Sequence, residues 1–269
     1  MKYDIIIIGG GLGGLTAGAK LAKEGRKVLL IEQHYRPGGC ATTFERKGFT
    51  FEVGLHEMDG LDRRDMKTKI FNDLGVFEEV EFLKVPEFYH FTNGRYDITI
   101  PHDPELAISV LMASFPEEEE GIRAYFDQVL NARRKAKESE GSPERSLGEF
   151  LDSIIGNEDL KLVLLGNLGY FHDDPYSISL NYYSVAQGSY YQGGGNFIRG
   201  GSQKLSDYLS GFISKNGGNV ILNHLVTEII VEEGKAVGAR YTDSSGKQAK
   251  VYTAYAQEII AKSRVASDY

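Results

Sequence analysis

The residues of this chain whose spacing could do chemistry are Gly9, Gly11 and Gly14, followed by an acid at Glu32. They stand in "YDIIIIGGGLGGLTAGAKLAKEGRKVLLIEQ", which also carries Gly10, Gly13 and Gly18. A glycine inside a helix costs roughly 1 kcal/mol against alanine, so this density implies a need for bare backbone. A diphosphate group is the need that fits. Gly9 permits a tight turn, Gly11 lets phosphate approach without a Cβ in the way, and Gly14 lets helix and strand pack closely. A helix starting there points unpaired N–H groups and a partial positive charge at the anion. Glu32 lies where a carboxylate accepts hydrogen bonds from both ribose hydroxyls, and an acid there disfavours a 2′-phosphate.

The elements that must position these residues are legible around them. Tyr3 to Ile8 is a continuous apolar, β-branched run, which predicts a central parallel strand buried on both faces. Leu15, Gly18, Ala19 and Ala22 recur at i, i+3, i+4 and i+7, predicting a helix whose small-residue face sits close to a sheet. "KVLLIE" supplies the second buried strand. Strand, glycines, helix, strand and terminal acid in register predict a dinucleotide-binding α/β domain. On this motif alone NAD and FAD both remain open.

Composition removes several classes. The 269 residues suffice for one large domain or two smaller ones. A formal charge of −8 without a clustered basic patch argues against nucleic acid as a partner. Cys40 is the only cysteine, which excludes an intrachain disulfide and an all-cysteine metal site. His172, Asp173 and Asp174 are adjacent and cannot all face one ion, and no H-x-x-x-H pair occurs, so no metal is expected. The strand-like run begins close behind Met1, leaving no room for a signal peptide, and no apolar stretch approaches about 18 residues. The expectation is a soluble, cytoplasmic protein.

Residues His34 to Gly60 read "HYRPGGCATTFERKGFTFEVGLHEMDG". This resembles the flavin-dependent amine oxidase and phytoene desaturase superfamily, and "PGGCATTF" with "FEVGLHEMDG" looks most like its carotenoid isomerase and all-trans-retinol 13,14-reductase group. The resemblance implies FAD as cofactor. It implies that Arg36, Gly38 and Gly39 touch the diphosphate, with Cys40 where many relatives carry Arg. It places Val226, in "NHLVTEI", against the adenine edge through its backbone, and His56 and Glu57 near the flavin or its ribityl chain. Gly10, Leu12, Gly13 and Gln33, beside the motif residues, join the expected cofactor contacts with Cys40. No catalytic acid–base pair is assigned: His56 and Glu57 are either catalytic or polar neighbours of the cofactor.

From Leu61 to Asn196 the pattern turns to amphipathic helices and aromatic-rich segments. "FPEEEEGIRAYFDQVLNARRKAKES" predicts a helix from near Pro116, with acids complementing its dipole. Glu138 to Ser146 is expected to be a polar linker. Tyr170, Phe171, Tyr176, Tyr182, Tyr183, Tyr190, Tyr191 and Phe197 crowd one span, which suits either a cavity for a flat, conjugated substrate or ordinary core, and the cavity is the expectation. After Asn196, Leu205, Leu209, Phe212 and Ile213 mark a helix ending at Gly217-Gly218. Four short strands follow, divided by "EEGK" and "DSSGK" turns.

The expected fold is therefore α/β: a Rossmann-like FAD/NAD(P)-binding domain with parallel sheet and β-meander, plus a helical, aromatic-rich substrate domain. The first flavin-domain segment is expected at 1–80, a partial substrate or cap domain at 81–195 and the second flavin segment at 196–269. Members of the resembled family run longer, so the C-terminal part of the family fold is expected to be missing. A sheet lacking its last elements would expose an apolar face, to be covered by a homo-oligomer or a complementing C-terminal partner chain. The function implied is FAD-dependent oxidoreduction at carbon–carbon double bonds of a polyisoprenoid, carotenoid or retinoid-like lipid, with transient peripheral membrane contact. The alternative is an inactive flavin-fold protein that binds or escorts lipid or prenyl groups, as the Rab escort and GDP-dissociation-inhibitor proteins do. An intact glycine and Glu32 fingerprint disfavours it. An NAD-linked reductase is disfavoured by the lack of a second glycine-rich motif.

Overall fold

The apolar run at the N-terminus forms the strand Lys2–Ile8, and its isoleucines are almost fully buried. In the computed structural model, which describes residues 2–63, 65–138, 141, 143–243 and 250–261, this strand lies inside a six-stranded sheet. Parallel neighbours flank it: Val28–Ile31 on one side and Val251–Ala261 on the other. Asn219–Ile221 adds a further parallel strand beyond Val28–Ile31. Beyond Val251–Ala261 the sheet continues antiparallel through Lys235–Asp243 and His224–Glu232. The four strands expected after the second helix are present, but they do not stay together. The first joins one edge of the parallel sheet, the last returns beside Lys2–Ile8, and the three meander strands run 9, 9 and 11 residues. The "DSSGK" turn lies largely outside the described residues.

The helix Leu12–Lys23 buries Leu15, Gly18, Ala19 and Ala22. Its small-residue face serves a helix as well as the sheet: a Cβ on Gly18 would come within 2.8 Å of Ile213 and 3.2 Å of Ile7. Ile213 belongs to the helix Gln203–Lys215, so a glycine on the first helix admits a branched side chain of the second.

The chain divides into two compact units, one of Met1–Glu57, Lys69–Leu83 and Phe197–Tyr269, the other of Met58–Thr68 and Lys84–Asn196. The second unit has its own core. Phe115, Ile122, Tyr125, Phe126, Leu151, Val163 and Tyr183 are buried there under the hairpin strands Glu87–Thr92 and Asp97–Pro101. The long helix expected from Pro116 is broken: a 3₁₀ turn, Pro116–Glu118, leads into Glu119–Leu130, and Asn131 separates this from Ala132–Glu138. Ser146 starts the next helix, Leu147–Ile154, through a reciprocal capping box with Glu149. Part of the expected linker, residues 139, 140 and 142, lies outside the described residues.

The aromatic cluster divides between core and surface. Tyr183 and Tyr191 are buried in the core of the second unit, whereas Tyr170, Tyr176 and Tyr182 are exposed. On the helix Leu180–Gly193, Tyr182 faces solvent while Tyr183 is buried, and Tyr190 and Tyr191 both pack their rings on Phe88 inside the core rather than lining an open cavity. Among the described residues no helix is long and apolar enough to cross a membrane.

Candidate functional site: a glycine-walled dinucleotide cleft

A cleft of about 320 Å³ opens at the C-terminal ends of Lys2–Ile8 and Val28–Ile31. Gly9, Gly11, Gly13 and Gly14 form one wall, Glu32, Gln33 and Gly39 a second, and His224, Leu225 and Val226 a third. Each glycine of the fingerprint has its own reason. Gly9 has φ 98°, a conformation that favours glycine, and its N–H donates to the Ile31 carbonyl at 2.9 Å. A Cβ on Gly14 would fall 2.1 Å from the Gly9 carbonyl oxygen. A Cβ on Gly11 would meet nothing within 4 Å of protein. Gly11 is therefore not demanded by packing within the chain, and its bare backbone faces the cleft.

Glu32 is nearly buried, and both carboxylate oxygens accept backbone hydrogen bonds: Oε2 from Gly10 N at 2.5 Å and Oε1 from His34 N at 2.8 Å. These bonds fix the side chain beside the glycine turn. Each oxygen keeps a second lone pair.

Gly38 and Gly39 are brought to the same turn. Gly38 N donates to the Gly10 carbonyl at 2.7 Å, and Gly11 and Gly38 form an isolated parallel bridge. Gly38 has φ 127°, and a Cβ there would strike the Ala41 carbonyl and the Ser206 hydroxyl. The helix Gln203–Lys215 holds this turn from behind: Ser206 Oγ donates to the Ala41 carbonyl at 2.7 Å and Gln203 Nε2 to the Pro37 carbonyl at 3.1 Å. A small pocket of about 210 Å³ adjoins the cleft at Gly11, lined also by Leu12, Gly38, Cys40 and Leu55.

Of the residues singled out in the sequence, then, Gly9, Gly11, Gly13, Gly14, Glu32, Gln33, Gly39 and Val226 line the cleft, and Leu12, Gly38 and Cys40 line its neighbour. Gly10 reaches the site through its bond to Glu32. Arg36 lines neither; its guanidinium donates to the Thr43 carbonyl at 3.0 Å and lies 5.5 Å from the Tyr35 ring centroid. His56 is exposed and lines neither pocket. His224 and Leu225 line the cleft although the sequence reading did not single them out. His224 N donates to the Glu32 carbonyl at 3.0 Å, and its Nδ1 lies 2.7 Å from the Leu222 carbonyl. A signal was available: His224 stands two residues before Val226 in a strand, the spacing that returns a side chain to the same face.

Residues 12–253 match the protein family described as flavin containing amine oxidoreductase. The chain belongs to that family. A prolycopene isomerase from an Oncidium hybrid cultivar is 28% identical over 271 residues, covering 90% of this chain and 46% of that protein. An all-trans-retinol 13,14-reductase from Danio rerio is 27% identical over 277 residues, covering 87% of this chain and 44% of that protein. The chain thus spans about half the length of the curated relatives it matches. Among solved structures, an oxidoreductase from Methanosarcina mazei superposes with a TM-score of 0.66 at 21% identity, covering 97% of this chain and 58% of that one. Putrescine oxidase bound to putrescine gives 0.64 at 17%, with the same coverages.

Membership of this flavin family indicates FAD as the cofactor, and the cleft fits it. The helix Leu12–Lys23 has Gly11 as its N-cap, no side chain caps its first turn, and that turn carries no acid. Its amides are left for an anion, as a diphosphate requires. Glu32 carries lone pairs of the kind ribose hydroxyls need, and Leu225 and Val226 line the cleft on the strand beside it.

Proposed function

We propose that the cleft holds FAD for an oxidoreductase that adds, removes or rearranges hydrogens at carbon–carbon double bonds of a polyisoprenoid, carotenoid or retinoid-like lipid. The observation that carries this reading is the match to polyene-directed relatives over about nine-tenths of the chain, with prolycopene isomerases and all-trans-retinol 13,14-reductases both among them. Bound in the cleft, FAD supplies hydride acceptance and donation, chemistry that no amino-acid side chain provides.

The chain's own residues contribute binding and orientation. The amides of the first helical turn neutralise the diphosphate, and Gly11 lets it approach to backbone distance. Glu32, locked by Gly10 and His34, receives the ribose in one orientation. Gly38-Gly39, braced by Ser206 and Gln203, closes the turn from the far side. Ile8, Ile31, Leu225 and Val226 keep water from the adenine end. The proposed setting is cytoplasmic, with the lipid met at a membrane surface.

The test is an absorbance scan of the purified protein between about 300 and 550 nm, where bound flavin absorbs, before and after FAD is added and the excess removed. The loaded protein is then incubated with all-trans-retinol and with prolycopene while the polyene band is followed. Retained flavin bands and a shifted polyene band are expected. Flavin retention with both polyenes unchanged would remove the substrate assignment, and a colourless protein that cannot be loaded would remove the whole reading.

A further inference from the structure

The strands Thr43–Arg46 and Phe49–Glu52 form a two-stranded hairpin whose alternation is inverted. Thr43, Glu45, Thr50 and Glu52 share one face, and Phe44, Arg46, Phe49 and Phe51 share the other. The polar face is the one turned to the protein at the hairpin's base. Thr43 is buried there, and Glu52 accepts from Ser202 N at 2.7 Å and Ser202 Oγ at 2.6 Å. A Cβ on Gly201 would sit 2.5 Å from both Glu52 Oε1 and Thr43 Cγ2, so the contact is close.

The aromatic face is left to solvent. Phe44 is 41% exposed, Phe49 68%, Phe51 44% and the following Val53 49%. Phe44 and Phe51 stack across the strands at 5.1 Å, which fixes them as one plate. Lys47 and Gly48 close the hairpin with φ 51° and 81°, the pair of positive angles a type I′ turn requires. The tip thus presents Arg46 and Lys47 beside Phe49, all exposed, with Glu45 on the opposite face. In a chain of net charge −8, this is a local cationic and aromatic tip.

We propose that the hairpin 43–53 docks the protein on a bilayer that carries anionic lipids, its aromatic face entering the headgroup layer and Arg46 and Lys47 meeting the lipid phosphates. Aromatic rings with basic neighbours are the pairing that the membrane interface selects. A second copy of the chain fits the patch less well. A stable protein interface needs roughly 800 Å² per partner, whereas three half-exposed rings and a valine present on the order of 400 Å². The hairpin would dock in this way whatever occupies the cleft.

The experiment is flotation of the full chain with vesicles of phosphatidylcholine alone and of phosphatidylcholine mixed with phosphatidylglycerol, with flavin retention followed separately. The unaltered protein is expected to float with the anionic vesicles and much less with the neutral ones. Arg46→Gln with Lys47→Gln should weaken anionic-vesicle partition by about fivefold per charge removed. Phe49→Ser should weaken it about tenfold, since a ring that inserts loses most of its buried apolar area. Both variants should melt like the unaltered chain, because the altered side chains project into solvent. Absence of flotation with either vesicle, or equal flotation of the variants and the unaltered chain, overturns the proposal. A drop in light-scattering mass on Phe49→Ser without vesicles also overturns it and assigns the face to a second copy.

Discussion

The Gly9 carbonyl oxygen lies where a side chain on Gly14 would begin, 2.1 Å from its Cβ position. Gly11, three residues before Gly14, has open space around the same position. Two glycines of one motif therefore answer to different constraints, one set by the chain's own packing and one by what enters the cleft.

Gly14→Ala and Gly11→Ala should separate accordingly. Gly14→Ala must displace the turn or the helix and should cost about 3 kcal/mol of stability. Gly11→Ala should stay within about 1 kcal/mol of the unaltered chain while losing FAD. Urea denaturation with flavin absorbance on the same samples checks both; equal stability losses would contradict the distinction.

Glu32→Gln tests the carboxylate. A glutamine has one carbonyl oxygen for the buried amide of Gly10 and the part-buried amide of His34, so one of these donors loses its partner. The expected cost is about 1 to 3 kcal/mol, together with weaker FAD retention. Calorimetric melts with and without added FAD would show a smaller ligand-induced rise in Tm than in the unaltered chain.

Asp73 offers a pH prediction. Hydrogen bonds from Lys20, at 2.8 Å, and then from Lys23, at 2.7 Å, pull its carboxyl down to about 2. A depressed native value means that its stabilisation is present in full above the unfolded value near 4 and is lost as pH falls toward 2. The group is exposed, so the effect is small. Melting curves of Asp73→Asn and of the unaltered chain should differ at pH 6 and converge near pH 2.

Tyr183→Phe asks whether the aromatic cluster is core. The Tyr183 hydroxyl lies 3.1 Å from the Leu164 carbonyl, to which it donates, and 3.1 Å from the Tyr125 hydroxyl. Burial raises its pKa and keeps it protonated as a donor. Removing it should cost about 1 to 3 kcal/mol and leave the flavin spectrum unchanged. A changed spectrum without loss of stability would return this ring to the cofactor's surroundings.

Local order in the sequence made the cleft legible. Strand, glycine turn, helix, strand and Glu32 are contiguous, so periodicity and spacing place them without knowledge of the rest of the chain. Gly38 and Gly39 came from resemblance, and their positive φ angles give the physical reason for them. Distant pairing was less legible. The run Val251–Ala261 reads as a strand, but its residues do not say that it inserts beside Lys2–Ile8 rather than ending a meander. The tyrosines between Tyr170 and Tyr191 read as a cluster because they are close in sequence, but Tyr170 and Tyr176 stand in exposed turns and Tyr182 faces solvent, while Tyr183, Tyr190 and Tyr191 join the core. The hairpin's inverted alternation is visible in "TFERKGFTFE", yet only the contact of Glu52 with Ser202 shows which face turns inward.

The pairing of Tyr3 with Ala256 and of Ile6 with Ile259 sets a timetable for the nascent chain. An apolar strand, once made, waits for a parallel neighbour some 250 residues later in the chain, on the order of ten seconds or more at ordinary elongation rates. Closing so long a loop is slow even after release. Until then "DIIIIG" has one flank without its native partner, which makes this stretch a natural client for chaperones and the first place where crowded expression would drive aggregation.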